Sequence, residues 1–426
     1  MRKIIVDYLI DLKLITRNIH LFLLGGLFMG LLAASMQLLM NLYLKDMGYG
    51  ESFIGRTLSI SAIGAVFAAL PAAYMAARYH IKPILIVSTL LMAVTFFVMG
   101  HTGSEMILLA AALGFGFSST IRSVISAPFI MRNSSERERM LVFTANYSLW
   151  MVAAIIGSYL GGWLHEYFRD YFSLQMSAGE AEIQAYRYAM VVTSGIGLLA
   201  VVPFLFIKAK APDREELKRA FSYTALKANW RLLFKLNLPY MLLGAGAGLI
   251  IPFLNLYFRE RFSLNATQIG AYFSILSVVM LCAVMLVPVL KKRLGFINTV
   301  VLTELLSIPF MLILCLTNDL SMAFWAFLFR GALMNMGSPV TTSFMMEAVP
   351  AELHGIVNSF SSMSWTVSSA ISTQIGGAII EKSGFETSFY WAIGLYLASA
   401  FSFYYYFSKC EIRSGDSIKI DRSAIR

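Results

Sequence analysis

The stretch NLYLKDMGYGESFIGRTLSI, residues 41–60, recurs later in the chain as NLYFRERFSLNATQIGAYFSI, residues 255–275. The second copy carries one extra residue before its Ile-Gly pair, and beyond that point the two halves match at a constant offset of 215 residues. The identical residues at this offset are Gly116 and Gly331, Met131 and Met346, Trp150 and Trp365, and Gly161-Gly162 and Gly376-Gly377. One such match is expected by chance, but a fixed offset along most of a half indicates an internal duplication.

The composition favours lipid as the solvent of this chain. It has 426 residues, 58% hydrophobic and 14% charged, with a mean hydropathy of +0.69. Soluble domains carry about 25% charged residues, and about 20 apolar residues cross a bilayer as a helix. We therefore predict an all-α integral membrane protein whose twelve transmembrane helices form two pseudo-symmetric six-helix bundles. The predicted spans are 19–43, 52–77, 82–100, 105–131, 141–165, 188–207, 236–258, 266–290, 296–317, 320–345, 355–380 and 385–407.

The distribution of Lys and Arg predicts the orientation. The net charge is +10, and most cations lie on cytoplasmic segments if both termini are inside, as the positive-inside rule requires. Segment 208–235 is the longest internal polar stretch and holds eight Lys and Arg residues. We predict a multi-pass plasma-membrane protein with the N-terminal bundle in 1–207, a cytoplasmic linker in 208–235, the C-terminal bundle in 236–407 and a cytoplasmic tail in 408–426. A short amphipathic helix is predicted in the linker.

The loop after the second span resembles a known family motif. Residues 73–83, AYMAARYHIKP, are similar to the loop between helices 2 and 3 of the major facilitator superfamily. Arg78 and Lys82 match its basic positions, whereas Ala73 and Ala77 stand where the family has glycine and an acid. The departure at Ala77 puts the charge relay attributed to this loop in doubt.

A glycine motif in the fifth span resembles the drug/proton antiporter branch of that family. It reads GSYLGG over 157–162, with Ser158 in place of the usual proline. Its glycines, Gly157, Gly161 and Gly162, are equally what close helix packing in lipid requires, because small residues let backbones approach. The motif therefore supports either an exporter signature or simple helix contact.

The resemblance implies two bundles around a central cavity that exchange access by rocking. The first hypothesis is an antiporter that exports a small amphipathic or drug-like molecule in exchange for protons. The second is an importer of a small, possibly anionic metabolite, and a third, of another class, is a non-transporting sensor or assembly factor. We expect no enzymatic activity, cofactor, metal or nucleic-acid partner. The expected partners are a small-molecule substrate, protons and the lipid bilayer, and the expected state is a monomer.

Arg122 is the leading candidate for substrate recognition, because an ionisable residue within a span is costly and marks a functional site. It lies in the fourth span, a cavity helix in the family, and Ser118, Ser119 and Ser126 lie at helical spacing from it. A guanidinium there suits a carboxylate or phosphate on a substrate. The alternative is that Arg122 snorkels to the cytoplasmic interface.

Glu304 and Arg330 are the candidates for proton coupling. They lie in the ninth and tenth spans at similar predicted depth, so they are close enough to pair. A structural ion pair that makes each charge tolerable is the alternative. The remaining predicted substrate contacts are polar and aromatic residues on other helices: Gln37, Asn41, Asn146, Trp150, Tyr240, Asn255, Asn335, Ser338, Asn358 and Trp365.

Overall fold

The structure, a computed structural model, describes residues 16–208, 230–349, 354–414 and 417–420. Its first ten long helices are α1 Arg17–Asp46, α2 Glu51–Arg78, α3 Ile81–His101, α4 Glu105–Asn133, α5 Glu136–Phe172, α6 Ala178–Leu198, α7 Trp230–Ile250, α8 Ala266–Leu294, α9 Phe296–Leu316 and α10 Leu320–Ala348. A further helix, His354–Phe407, is interrupted at Gly384, whose φ of 77° only glycine adopts readily. It therefore comprises α11 (354–383) and α12 (385–407).

Short helical elements continue two of these helices, and a hairpin follows the last. Val201–Leu205 continues α6. A 3-10 turn, Ile251–Phe253, and the helix Leu254–Phe262 continue α7. Pro252 lacks a backbone N–H and so favours this local change of winding. After α12, strands β1 Glu411–Ser414 and β2 Ser417–Ile420 pair antiparallel, with Glu411 opposite Ile420. This hairpin falls in the segment predicted as a tail.

The helices have the length and surface of membrane spans. Within the described residues, nine helical segments, corresponding to α1–α9, are long and apolar enough to cross a bilayer. With α10, α11 and α12, the described residues contain twelve long helices, the number predicted from the sequence. Large apolar side chains such as Phe67, Met106 and Phe401 are mostly exposed. An α-helix satisfies its own backbone groups, so such side chains can face hydrocarbon.

The described residues form two compact units. The first unit comprises the described residues within Met1–Gly48, Ile60–Leu217 and Asn265–Ser274. The second comprises the described residues within Tyr49–Ser59, Lys218–Leu264 and Ile275–Arg426. In the first, α1 packs on α5 and α6, and α3 packs on α4. In the second, α7 packs on the helices of His354–Phe407, and α9 packs on α10.

Aromatic contacts hold each unit together. In the first, the Phe22 and Phe129 rings stack with centroids 4.4 Å apart. In the second, the Phe344 ring lies edge-on to Phe403 at 5.3 Å and to Phe407 at 4.9 Å. Lipid is as apolar as these side chains, so their close packing stabilises the units through dispersion rather than through exclusion of water.

The duplicated Asn-Leu-Tyr element forms the same contact in both units. The Tyr43 hydroxyl donates to the Gly100 carbonyl at the end of α3, at 2.8 Å. The Tyr257 hydroxyl donates to the Leu314 carbonyl near the end of α9, at 2.6 Å. Both tyrosines are buried, so each hydroxyl requires this partner. The repeat found in the sequence therefore positions equivalent helices in the two units.

Candidate functional site

A cavity of about 580 Å³ lies within the first unit, between residues of α1, α3, α4 and α5. Its size is typical of sites that bind small molecules. Its lining combines apolar and aromatic side chains with hydroxyl and amide groups and a single cation. The lining residues are Met29, Ala33, Met92, Phe115, Ser119, Thr120, Arg122, Ser123, Ser126, Phe143, Asn146, Tyr147 and Trp150.

Arg122 is the cation of this cavity. Its side chain is 9% exposed, and its Nε is buried without a hydrogen-bond partner in the described structure. The guanidinium carbon lies 5.2 Å from the centre of the Trp150 ring, in cation–π geometry. No carboxylate is among the cavity's lining residues. A buried guanidinium without a carboxylate partner is costly unless something else supplies a negative charge.

Two glycines of α1, neither of them predicted from the sequence, leave the space that the side chains of this site occupy. A Cβ at Gly26 would lie 2.5 Å from the Arg122 Nη2, and one at Gly30 would lie 3.4 Å from the Trp150 ring. The guanidinium therefore rests directly on the α1 backbone at Gly26. Glycines at a spacing of four on α1 were visible in the sequence, but nothing there showed what they face.

The serines that line the cavity differ from those predicted to lie beside Arg122. Ser119 and Ser126 line it, whereas Ser118 is fully buried and donates to the Phe115 carbonyl at 2.9 Å. Asn146 lies beside Ser126, with its amide nitrogen 3.4 Å from that hydroxyl. Arg122, Asn146 and Trp150, all predicted from the sequence, thus meet in one cavity. Their role in binding stays a prediction.

Three other predicted residues meet in the second unit. The Tyr240 ring of α7 lies 5.0 Å from the Trp365 ring of α11, centre to centre, and Tyr240 is hydrogen-bonded to Ser338 of α10. Trp365 packs on Gly244, where a Cβ would lie 3.2 Å from its ring. This contact repeats the packing of Trp150 on Gly30. Trp150 and Trp365 are 215 residues apart, and Gly30 and Gly244 are 214 apart because they precede the extra residue of the second copy.

The remaining predicted contacts are Gln37, Asn41, Asn255, Asn335 and Asn358. Gln37 and Asn358 are exposed, and Asn41 is buried in α1. The Asn255 side-chain oxygen accepts from the Leu256 backbone N–H at 3.0 Å, and the Asn335 amide donates to the Gly331 carbonyl at 2.8 Å. The last two side chains satisfy local backbone groups, as polar residues within membrane helices commonly do.

Glu304 and Arg330 are both buried in the second unit, but within the described residues they form no direct ion pair. Arg330 instead donates to the Tyr396 hydroxyl of α12 at 2.5 Å. The Glu304 carboxyl lies within hydrogen-bonding range of the Ser399 hydroxyl, one turn further along α12. One Glu304 carboxylate oxygen and the Arg330 Nε remain buried without a hydrogen-bond partner in the described structure.

The helix 5 glycines form close contacts on two sides. A Cβ at Gly157 would lie 2.7 Å from the Leu31 carbonyl oxygen of α1, and the Ser35 hydroxyl donates to the Gly157 carbonyl at 2.9 Å. Gly161 faces Ser35 at 3.3 Å. A Cβ at Gly162 would collide with the Ala266 carbonyl. Ala266 lies at the start of α8, in the part of that helix that belongs to the first unit. Substitution at any of these glycines forces the helices apart.

The basic residues of the loop after α2 have local partners. The Arg78 guanidinium donates to the Tyr74 hydroxyl at 2.6 Å. Arg132, at the end of α4, donates to the Ala76 carbonyl at 3.0 Å and so ties α4 to α2. Lys82 lies half-buried in the first turn of α3. In the described part of the chain, no group of three or more His, Cys, Asp and Glu side chains is arranged to hold a metal ion.

A chain of twelve apolar helices in duplicated halves, with a polar cavity in one unit, defines a polytopic membrane transporter. The sequence model of the Major Facilitator Superfamily matches residues 21–373, and the chain belongs to that family. It is therefore a multi-pass membrane transporter of small molecules, and the predicted all-α fold of two six-helix bundles is confirmed.

Solved structures show the same fold at low sequence identity. A bacterial homolog of the human lysosomal transporter Spinster, inward-facing and unoccupied, is 13% identical with a TM-score of 0.76, over 91% of this chain and 96% of that one. The nucleoside transporter NupG is 15% identical with a TM-score of 0.72, over 91% and 98%. A D-xylose-proton symporter is 15% identical with a TM-score of 0.68, over 93% and 97%. No curated protein sequence is significantly similar to this chain.

Proposed function

We propose that this transporter carries a small amphipathic molecule with one negative charge, by alternating access coupled to protons. The observation that carries the proposal is Arg122, a buried cation that lines an otherwise uncharged cavity. Burying a lone charge is unfavourable, and a bound anion would compensate it. One cation and no lining carboxylate suit a monoanion better than a dianion or a cation.

The rest of the cavity supports an amphipathic substrate. Met29, Met92, Phe115 and Trp150 offer apolar and aromatic surface for a hydrophobic body. Asn146 and the hydroxyls of Ser119 and Ser123 offer hydrogen bonds close to the charge. A ligand with an anionic head and an apolar ring or chain fits both surfaces.

We further propose export, with protons moving in the opposite direction. The similarity of residues 157–162 to the antiporter motif supports this direction, and its glycines lie where α5 meets α1 and α8. Import of the same anion together with protons is the second candidate, since Arg122 supports anion recognition in either direction. We place the protein in the plasma membrane as a monomer with both termini cytoplasmic.

The test uses three probes of similar shape: naphthalenesulfonate, the neutral naphthalenesulfonamide and a cationic naphthylmethyl-trimethylammonium. Purified protein in proteoliposomes is expected to transport the sulfonate in preference to the other two, and Arg122→Ala is expected to remove that preference. The sign of the proton flux that accompanies the sulfonate distinguishes export from import. Equal handling of all three probes would refute anion recognition, and no flux of any probe would favour a sensor or assembly role.

A further inference from the structure

A buried histidine lies outside the Arg122 cavity, in the last turns of α5. The His165 side chain is 1% exposed. Its Nδ1 lies 3.6 Å from a Glu166 carboxylate oxygen, and its Nε2 lies 3.4 Å from a Glu182 carboxylate oxygen on α6. Neither ring nitrogen has a hydrogen-bond partner of normal geometry within the described residues. The imidazole thus lies between two carboxylates on different helices.

This arrangement suits the protonated ring. A neutral imidazole carries one N–H and one lone pair, so one nitrogen would direct its lone pair at a carboxylate oxygen. An imidazolium carries two N–H groups, and each of them would face a carboxylate. Uptake of one proton therefore converts a repulsive contact into an attractive one without moving a heavy atom.

The surrounding charges act in the same direction. Glu166 and Asp170 both pair with Arg169, the latter at 3.1 Å, so one guanidinium is shared by two carboxylates and Glu182 adds a third. The Tyr186 ring stacks on the imidazole at 3.8 Å and holds it in place. The titratable groups around the ring are Glu166, Arg169 and Asp170 of α5 and Glu182 and Tyr186 of α6. Behind Tyr186 lie Tyr43 of α1 and the cation Arg187 of α6, whose Nε is 3.5 Å from the Tyr43 hydroxyl.

A proton can reach this site from water. The Glu182 and Glu166 side chains are 25% and 15% exposed, whereas the ring between them is not. The two carboxylates can therefore pass a proton from solvent to the buried nitrogen atoms. A metal ion is the other ligand that histidine and carboxylates bind, but these three side chains form no metal-binding group.

The position of His165 links it to the helix contacts of α5. It lies one turn after Gly161 and Gly162, which press against Ser35 and the start of α8. At the offset of the duplication the second half has Ile380 in its place. The site is therefore particular to one half and is not part of the repeated packing framework.

We propose that His165, Glu166 and Glu182 form a proton-binding site and that its proton is the one coupled to transport. The second part rests on the proposed transport function. The first part is tested without any substrate, by nitrogen NMR of the full-length protein labelled at histidine and reconstituted in nanodiscs. His165→Gln assigns the signal, because that signal disappears in the variant.

The NMR titration has a defined outcome. The His165 nitrogens are expected to change from neutral to doubly protonated as the pH is lowered. Glu182→Gln is expected to shift this transition to lower pH by half a unit or more, since it removes a negative charge beside the ring. Glu180→Gln, which changes an exposed carboxylate bound to Ser177, is the control and is expected to leave it in place. An unshifted transition in Glu182→Gln, or no transition, would overturn the proton site.

Coupling is tested in proteoliposomes with naphthalenesulfonate. Accumulation driven by a pH gradient is expected to fall at least tenfold in His165→Gln, while exchange without a gradient continues and shows that the variant is folded. His101→Gln, at an exposed histidine, serves as the control. Unchanged gradient-driven accumulation in His165→Gln would overturn the coupling and leave the proposed transport intact. No flux in the unchanged protein would refute the proposed transport, and the NMR result would still decide the proton site.

Discussion

Substitution of Gly26 by alanine tests whether the position of the Arg122 guanidinium determines substrate choice. The new Cβ would lie 2.5 Å from Nη2, about 1 Å short of ordinary contact. The guanidinium must therefore move away from α1, and its hydrogen bonds to a bound anion lose their geometry. The helix itself gains, since alanine favours a helix over glycine by about 1 kcal/mol.

The size of the effect follows from the bond that is lost. A hydrogen bond to a charged group contributes about 1.5–3 kcal/mol. A tenfold change in affinity corresponds to about 1.4 kcal/mol, so Gly26→Ala is expected to weaken naphthalenesulfonate binding about 10- to 100-fold. Binding of the neutral sulfonamide should change little, because it does not depend on the charge.

The assay is equilibrium binding of both probes to purified protein, with a double-mutant cycle. In an Arg122→Ala background, Gly26→Ala should have almost no further effect on the sulfonate, since the group that it displaces is gone. Gly195→Ala is the matched control, because a Cβ there meets nothing within 4 Å. An equal loss for both probes, or an undiminished loss in the Arg122→Ala background, would refute this explanation.

Four further predictions concern other parts of the chain. Tyr396→Phe should lower the free energy of unfolding by about 1–3 kcal/mol in thermal or denaturant unfolding, because Arg330 loses its buried acceptor. Glu304→Gln should fold, and unchanged proton-coupled flux in that variant would exclude Glu304 as a coupling site. Gly161→Leu should reduce transport with modest loss of expression, since its side chain must displace Ser35 at 3.3 Å, and normal transport would show that α1 and α5 are not tightly apposed there. A reporter fused after Arg214, which lies outside the described residues, should be cytoplasmic and one inserted near Ala178 external, whereas the same side for both would contradict the twelve-span topology.

The fold was predictable because lipid imposes simple rules. A spanning segment must be long, apolar and helical, so α1–α9 are visible as runs of hydrophobic residues. The junction of α11 and α12 was also predicted as a break near residue 384, where Gly384 has a positive φ. The 3-10 turn at Ile251–Phe253 was not predicted, because a proline in a span indicates a distortion without specifying which one.

The site was less predictable, because it depends on which faces of the helices meet. Arg122 was identified by the cost of a charge in a span, and Trp150 by its place in the repeat. Gly26 was missed, because a glycine carries no chemistry until its neighbour is known. His165 was not predicted, since its partner Glu182 lies on the next helix and not at a motif spacing.

The duplication separates the residues that build the fold from those that bind. The contact of Gly30 with Trp150 in the first unit recurs as the contact of Gly244 with Trp365 in the second, so this packing belongs to the duplicated framework. At the positions that surround the cation the halves exchange large and small side chains. Gly26 corresponds to Tyr240 and Arg122 to Gly337. A Cβ at Gly337 would lie 3.2 Å from the Thr303 hydroxyl and not against Tyr240, so the contact of Gly26 with Arg122 is not repeated in the second unit.

The side chains at these positions also differ in chemistry. A guanidinium extends from α4 towards α1 in the first unit, whereas in the second the Tyr240 ring of α7 meets Trp365 and Ser338. His165 and Ile380 differ in the same sense, with the ionisable residue again in the first half. The proposed anion and proton sites therefore lie in one unit, within about 45 residues of each other along α4 and α5. A proton taken up at His165 and an anion bound at Arg122 would both act on α5, the helix that contacts α1 through Gly157 and Gly161.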